Sequence, residues 1–267
     1  AARCAPRSAA PGEASPRSHL SGRLIRFPAG PRMLDQETTR AISLVGLGIQ
    51  TALTLLLALL LVVLSRAGAE RRYFSIWTRA CAVLFVGLAA LCLFFAAGPS
   101  SPARPVFALV YQAGKAAFFL GLAQGAWAFV MGPARRPPRW AAAAFLVAMV
   151  AASLPFLSSA EKLVIVQAFF AVPVLTWTAR QMTFTRAPRR TRAVTVSSAA
   201  LGAMATLWGF YLLEYVSRTA GFPAPRLMQH LVAGYNSYLD LLLETLLAFG
   251  MVLVRNEDAQ RELAAAH

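Results

Sequence analysis

Three polar residues, spaced four positions apart, interrupt the last long apolar segment of this sequence. The segment covers residues 231–254 and contains Asn236, Asp240 and Glu244. A spacing of four places them on one face of a helix, and about 20 apolar residues suffice to cross a bilayer. An ionisable group at that depth costs about 2.5–3.5 kcal/mol, so such groups usually face the bundle interior and have partners. The spacing therefore predicts a buried acidic stripe that could hold an ion pair, a ligand or a proton.

Lys115, in the third apolar run, is the predicted partner of this stripe. It lies about ten residues into its run, or roughly 15 Å deep, and Asp240 lies at nearly the same depth in the last run. The sequence thus predicts a Lys115–Asp240 or Lys115–Glu244 ion pair. Three interpretations stay open: the pair only fixes helix register, it forms a ligand or proton site, or Lys115 snorkels without a partner.

The sixth run carries Tyr211 and Glu214 towards the same side of the membrane, among other aromatic residues. Aromatic belts at a membrane interface are ordinary, which is one interpretation of this cluster. The other is an outward-facing cavity ringed by Lys115, Asp240, Glu214 and the aromatic side chains. The candidate polar core, or ligand site, therefore comprises Lys115, Asp240, Glu244, Glu214 and Tyr211.

The composition identifies the class of protein. The 267 residues are 58% hydrophobic and 14% charged, with a mean hydropathy of +0.56, whereas soluble domains contain about 25% charged residues. The formal charge of +15 comes mainly from arginines between the apolar runs. Such clusters are typical of cytoplasmic membrane loops, so we expect a lipid bilayer as partner and no nucleic acid.

The predicted fold class is all-α: a polytopic bundle of seven transmembrane helices joined by short loops. Arginine is concentrated in the loops after the first, third and fifth runs, which places these loops in the cytoplasm, the N-terminus outside and the C-terminus inside. The transmembrane domain is predicted over 33–254. Its seven apolar runs are 41–64, 74–97, 105–131, 139–157, 161–182, 193–216 and 231–254.

Residues 1–32 have a different character. They are rich in Ala, Pro, Ser, Gly and Arg and contain no long apolar core, so we expect disorder rather than a secretory signal. The first methionine is Met33, and we expect the native protein to begin there.

No catalytic signature occurs in the sequence. It contains no nucleophile elbow, zinc-protease, Walker or dinucleotide motif, and its histidines, His19, His230 and His267, all lie outside the membrane interior. The seventh run has no lysine for a retinal. We therefore expect no enzyme activity, no metal and no cofactor in this chain.

The third run also presents a ridge of small residues, namely Gly114, Ala117, Gly121 and Gly125. Small residues allow membrane helices to approach closely. The ridge predicts helix packing within the bundle, with a dimer face as the alternative.

The seventh run continues into residues 255–267, where no Gly or Pro stops the helix. The residues Val252, Asn256, Ala259, Leu263 and Ala266 follow the spacing of coiled-coil a and d positions, although an amphipathic helix end gives the same pattern. We expect this segment to begin a cytoplasmic signalling helix.

The seven-run layout and the segment LDLLLETLLAFGMVLVRNEDAQRELAAAH resemble the N-terminal membrane sensor region of bacterial signalling proteins. In that class a seven-helix module leads through a short helix into a histidine kinase of a two-component system or a GGDEF diguanylate cyclase. The resemblance implies homodimerisation and signal transfer along the seventh helix. We accordingly expect a multi-pass sensor of the bacterial inner membrane that binds a small molecule of unknown identity. The alternative is a transporter or permease with an intramembrane Lys–carboxylate site.

Overall fold

Seven α-helices account for almost all of the chain that the structure describes. The computed structural model describes residues 36–66, 72–98, 100–132, 139–184, 191–222 and 226–266, with the side chains of 36–40, 139, 226–234 and 265–266 left aside. The prediction for residues 1–32 lies outside these ranges. The helices are α1 Gln36–Arg66, α2 Arg72–Ala96, α3 Arg104–Met131, α4 Arg139–Ser153, α5 Ala160–Thr183, α6 Arg192–Thr219 and α7 Arg226–Ala266.

The all-α prediction is confirmed for the described residues, in which no strand occurs. Six helices are long and apolar enough to cross a membrane, while α4 has only 15 residues. A 3₁₀ turn at Leu154–Phe156 extends α4, and the two together are about 28 Å long. The chain is therefore a multi-pass membrane protein by the length and composition of its helices. The exact number of spans and their orientation remain predictions.

Local sequence signals fix several helix starts. Ser159 precedes α5 and its hydroxyl accepts from the amide of Lys162, while Thr191 does the same for Val194 at the start of α6. These side chains satisfy backbone donors that the first helical turn leaves free. Pro155 lies in the 3₁₀ turn where α4 ends, consistent with its missing amide hydrogen.

Contacts between the helices define two ends of the bundle. Gly46 packs against Tyr238 and Gln50 bonds to Glu244, so α1 and α7 are parallel. Tyr111 bonds to Gln167 and Trp127 stacks on Trp177, so α3 and α5 are parallel as well. The helices α2, α4 and α6 run the opposite way. We call the end where α1, α3, α5 and α7 begin the upper end, and the other the lower end.

The small-residue ridge of α3 packs on α2. A Cβ atom added to Gly114 would lie 2.8 Å from the Cα of Gly87, and Gly121 and Gly125 meet Ala80 and Trp77. Since the ridge is covered inside the bundle, the packing interpretation is confirmed. This close contact also fixes the position of Lys115, the residue that follows Gly114.

Polar and apolar residues are distributed in the way that a bilayer requires. On α7, Glu244 is buried while Leu242, Leu246 and Phe249 are exposed. Burying the polar side chain in the bundle leaves the apolar ones to face lipid, whose interior offers no hydrogen-bonding partners. The fold therefore places the acidic stripe of α7 in the bundle centre.

Candidate functional site

The predicted ion pair forms between α3 and α7. The Nζ atom of Lys115 lies 3.8 Å from Oδ2 of Asp240 and 3.6 Å from Oε1 of Glu244. The Lys115 side chain is 3% exposed, and those of Asp240 and Glu244 are 13% and 5% exposed. The predicted contact is thus confirmed for both acids. Its role as a ligand site stays a prediction.

Helix α1 completes the surroundings of Glu244. Gln50 Nε2 donates to Oε1 of Glu244 at 3.2 Å, and Thr54 Oγ1 donates to Oε2 at 3.4 Å. Gln50 and Thr54 are buried and lie one helical turn apart on α1. Sequence reasoning missed both residues, although their spacing of four within an apolar run was the available signal.

Helix α6 supplies the partners of Asp240 and Lys115. The hydroxyl of Tyr211 donates to the backbone oxygen of Asn236 at 3.1 Å and to Oδ1 of Asp240 at 3.5 Å. The Lys115 ammonium lies 5.3 Å from the centre of the Trp208 ring, close enough for a cation–π attraction. Tyr211 therefore belongs to the predicted polar core. We call Lys115, Asp240, Glu244, Gln50, Thr54 and Tyr211 the deep cluster.

Glu214 belongs to a different group of charges. Its Oε1 pairs with Arg218 Nη2 at 2.9 Å, and Arg218 Nη1 lies 3.4 Å from Oε1 of Glu161. Glu214 is fully buried, whereas the Glu161 side chain is 56% exposed at the upper end. We call Glu161, Glu214 and Arg218 the upper cluster. The structure thus brings Lys115, Asp240, Glu244 and Tyr211 together and places Glu214 with Arg218 instead.

Each cluster contains two carboxylates and one cation. When all groups are ionised, Asp240 and Glu244 exceed Lys115 by one negative charge, as Glu161 and Glu214 exceed Arg218. In the buried deep cluster this uncompensated charge is strongly unfavourable, even when hydrogen bonds reduce the cost. In the upper cluster the side chains of Glu161 and Arg218 are 56% and 41% exposed, so water screens the excess charge there. One bound proton or one cationic group near each cluster would balance it. This excess is the main chemical property of the site.

A cavity of about 210 Å³ opens between these clusters at the upper end. Six helices, all except α4, contribute to its wall, and Lys115, Asp240 and Glu214 are not among the lining residues. A cavity therefore exists at the upper end, with Tyr111 and Tyr215 in its wall, but the expected ring of Lys115, Asp240 and Glu214 does not line it. The lining residues are Ser43, Leu44, Leu47, Leu91, Phe94, Phe95, Ala108, Tyr111, Ala160, Glu161, Leu163, Val164, Tyr215, Asn236 and Ser237.

No family model, curated protein or solved structure matches this chain. The functional assignment therefore depends on the geometry of the site and on the helices that carry it.

The cavity and the deep cluster are separated by one helical turn. Tyr111 lines the cavity and Lys115 follows it by four residues on α3, just as Asn236 precedes Asp240 on α7. The Tyr111 hydroxyl donates to Gln167 Oε1 at 3.2 Å. Gln167 is fully buried and its Nε2 has no partner. Tyr111 and Asn236 of the cavity lining therefore each lie one helical turn from a charged residue of the deep cluster.

A second cavity, of about 310 Å³, lies between α3, α4 and α5. Its walls include Trp127 and Trp177, whose rings stack with centres 5.8 Å apart, and Gln124. None of its described lining residues is ionisable. It is larger than the upper cavity, but it lacks the convergent polar groups that characterise ligand sites.

The described residues contain no group of three or more His, Cys, Asp or Glu side chains that could hold a metal ion. Cys81 and Cys92 are free thiols. Carboxylates, an ammonium group and tyrosines thus supply the chemistry of the site, which suits ion pairing and proton exchange.

Proposed function

We propose that this chain is a membrane sensor module of a bacterial signalling protein, in which the upper cavity receives the signal and α7 transmits it. In this proposal seven helices span the inner membrane, with the upper end outside and the lower end in the cytoplasm. The observation that carries the proposal is the unbroken α7 helix. It contains Asp240 and Glu244 below the cavity and continues to Ala266.

The length of α7 supports transmission out of the membrane. Its 41 residues correspond to about 61 Å, roughly twice the ~30 Å hydrocarbon core. Below the bundle, residues 259–264 are exposed. A rigid helix carries a displacement of one end to the other, so a shift near Asp240 would move the cytoplasmic segment.

Contacts at the lower end support the same proposal. Tyr73 Oη on α2 donates to Asp258 Oδ2 on α7 at 2.8 Å, and Arg255 lies 5.0 Å from the Phe74 ring centre. These contacts hold α7 against α2 at a distance from the deep cluster. They attach α7 to the bundle at a second place besides the deep cluster, and a movement of α7 would rearrange them. Homodimerisation through the exposed end of α7, around Leu263, belongs to the proposal, with an output domain such as a kinase or cyclase beyond it.

A distance measurement on the full chain in lipid nanodiscs tests this proposal. Spin labels at Leu263 and Phe184, both exposed, report the position of α7 relative to α5 after the native cysteines are replaced by alanine. We expect Asp240→Asn combined with Glu244→Gln to shift the distance by about 1–2 Å, the scale of helix shifts in switching proteins. Thr206→Val, at an exposed position on α6, is the control. Identical distances in all three proteins would refute the proposal.

One observation favours a transporter as the second candidate. A small void of about 10 Å³ lies below the deep cluster, beside Thr54, Cys81 and Glu244. That volume is at the threshold for one water molecule, so space exists on both sides of the ion pair. Proton uptake by proteoliposomes under an imposed pH gradient tests this candidate. Uptake that disappears in Lys115→Ala would support transport, and flux equal to that of protein-free vesicles would reject it.

A further inference from the structure

We infer that the upper cavity binds a small organic cation, an amine that carries an aromatic or other apolar group. This inference rests on the proposed function, because it names the class of ligand that the sensor would recognise. Aromatic and aliphatic side chains form most of the wall, and Glu161 is the one carboxylate among its described lining residues. These described lining residues include no lysine or arginine.

The surrounding charges favour a cation over an anion. The cavity adjoins two clusters that each hold two carboxylates and one basic group. Glu161 of the upper cluster lines the cavity, and the lining residues Tyr111 and Asn236 lie one helical turn before Lys115 and Asp240. Glu214 Oε2, in the turn of α6 that carries Tyr215, is buried without a partner. A ligand with one positive charge would reduce the excess of negative charge, whereas a carboxylate or phosphate would increase it.

Of the described basic residues at the upper end, Arg218 pairs with Glu161 and Glu214 and lies 5.6 Å from the centre of the Tyr215 ring. Arg104 lies 4.3 Å from the centre of the Phe94 ring, and Lys162 lies 5.6 Å from that of Phe156. Arg104 thus contacts a ring of the cavity lining and Lys162 a ring outside it, while neither Arg104, Lys162 nor Arg218 is itself among the described lining residues. They also show that aromatic rings at this end attract cations. Phe94 lines the cavity, and cationic ligands commonly bind against such rings.

The size and walls of the cavity define the rest of the ligand. Its volume of about 210 Å³ exceeds that of an engineered cavity of about 150 Å³ that binds benzene. A single aromatic ring with a short side chain therefore fits. Phe95, Leu91 and Val164 provide apolar walls for the ring, while Glu161 and Asn236 provide oxygen acceptors for the ammonium group.

Binding of phenethylammonium to the full chain in lipid nanodiscs tests this inference. Its matched probes are 2-phenylethanol, which is neutral, and 3-phenylpropionate, which is anionic. Isothermal titration calorimetry, corrected with protein-free nanodiscs, measures all three. We expect phenethylammonium to bind with a dissociation constant at or below about 1 mM, a realistic affinity for so small a ligand. Both other probes should bind at least about tenfold more weakly.

Two variants locate the binding site. Glu161→Gln removes the carboxylate of the lining and Asn236→Leu fills the space beside it, so either change should weaken phenethylammonium binding about tenfold, the scale of one charge-assisted hydrogen bond. Glu262→Gln, an exposed position at the lower end, is the matched control and should bind normally. Selectivity for the cation together with a loss in either variant supports the inference. It is overturned by absence of binding up to about 10 mM, equal binding of the three probes, or unchanged binding in both variants.

The spin-label distance separates this inference from the proposed function. Selective binding of phenethylammonium without any movement of α7 would support the amine-binding site and refute the proposed sensor function. Movement of α7 in the doubly neutralised variant without amine binding would retain the sensor and reject this ligand class.

Discussion

The ammonium group of Lys115 lies 3.6 Å from Oε1 of Glu244, although the two residues belong to the third and the seventh helix of the chain. Both side chains are almost completely buried, and Asp240 approaches the same ammonium group from one turn above. One ammonium group is therefore the ion-pair partner of two carboxylates in the centre of a membrane bundle. This arrangement is sensitive to the loss of any single member.

The first prediction concerns the energetic coupling of these residues. Lys115→Met leaves two buried carboxylates without their cation, and removal of one partner from a buried ion pair costs about 3–5 kcal/mol. We expect a loss of this size in the free energy of unfolding, measured by SDS titration in mixed micelles with tryptophan fluorescence. In an Asp240→Asn background the same change should cost less, with a coupling energy of about 0.5–3 kcal/mol.

The control for this cycle is Lys162→Met, which removes an exposed lysine at the upper end. Exposed charges contribute about 0–1 kcal/mol, so this variant should unfold almost as the wild type does. Additive losses for Lys115→Met and Asp240→Asn would show that the two residues do not stabilise each other.

The second prediction concerns the α1 side of the deep cluster. Gln50→Leu removes the hydrogen bond to Oε1 of Glu244, and a bond to a charged group contributes about 1.5–3 kcal/mol. We expect the free energy of unfolding to fall by this amount. Gln124→Leu is the matched control, because Gln124 lies beside the apolar cavity between α3, α4 and α5. Equal effects of the two substitutions would argue against a specific role for Gln50.

The sequence predicted the Lys115 contacts because depth in a membrane is a one-dimensional coordinate. A buried charge needs a partner at its own depth, and counting residues from the helix ends placed Lys115 near Asp240 and Glu244. Neutral polar residues such as Gln50 and Thr54 carry no such requirement, since they are tolerated in an apolar run without an ionic partner. Their role depends on the packing of α1 beside α7. The lengths of the loops do not determine which helices are neighbours.

Glu214 illustrates a different limit. Its partner Arg218 lies four residues away on the same helix, and this spacing is visible in the sequence. Depth alone grouped Glu214 with the other membrane acids. The direction in which Glu214 points depends on the rotation of α6 about its axis, and packing sets that rotation. Tyr211, three residues earlier on that helix, does contact Asp240. Residues at similar depth can therefore serve separate clusters.

The third prediction concerns the contact between α2 and α3 that positions Lys115. Gly114→Ala would place a methyl group 2.8 Å from the Cα of Gly87, and overpacking of this kind costs about 1–3 kcal/mol. Gly48→Ala is the matched control, since no described atom of another helix lies within 4 Å of the added Cβ there, and alanine favours a helix by about 1 kcal/mol. Unfolding titrations should show opposite signs. A destabilisation by Gly48→Ala equal to that by Gly114→Ala would contradict the proposed close packing.

The last prediction concerns the attachment of α7 at the lower end. Tyr73→Phe removes the hydroxyl that donates to Asp258, a bond that contributes about 0.5–1.5 kcal/mol. Because residues 259–264 are exposed, this bond should govern how readily the end of α7 opens. We expect faster amide hydrogen exchange in residues 258–264, by up to about tenfold, with exchange near Asp240 unchanged. Tyr235→Phe, at an exposed position near the upper end of α7, is the matched control. Unchanged exchange at 258–264 in Tyr73→Phe would mean that α7 is held at this end by apolar packing alone.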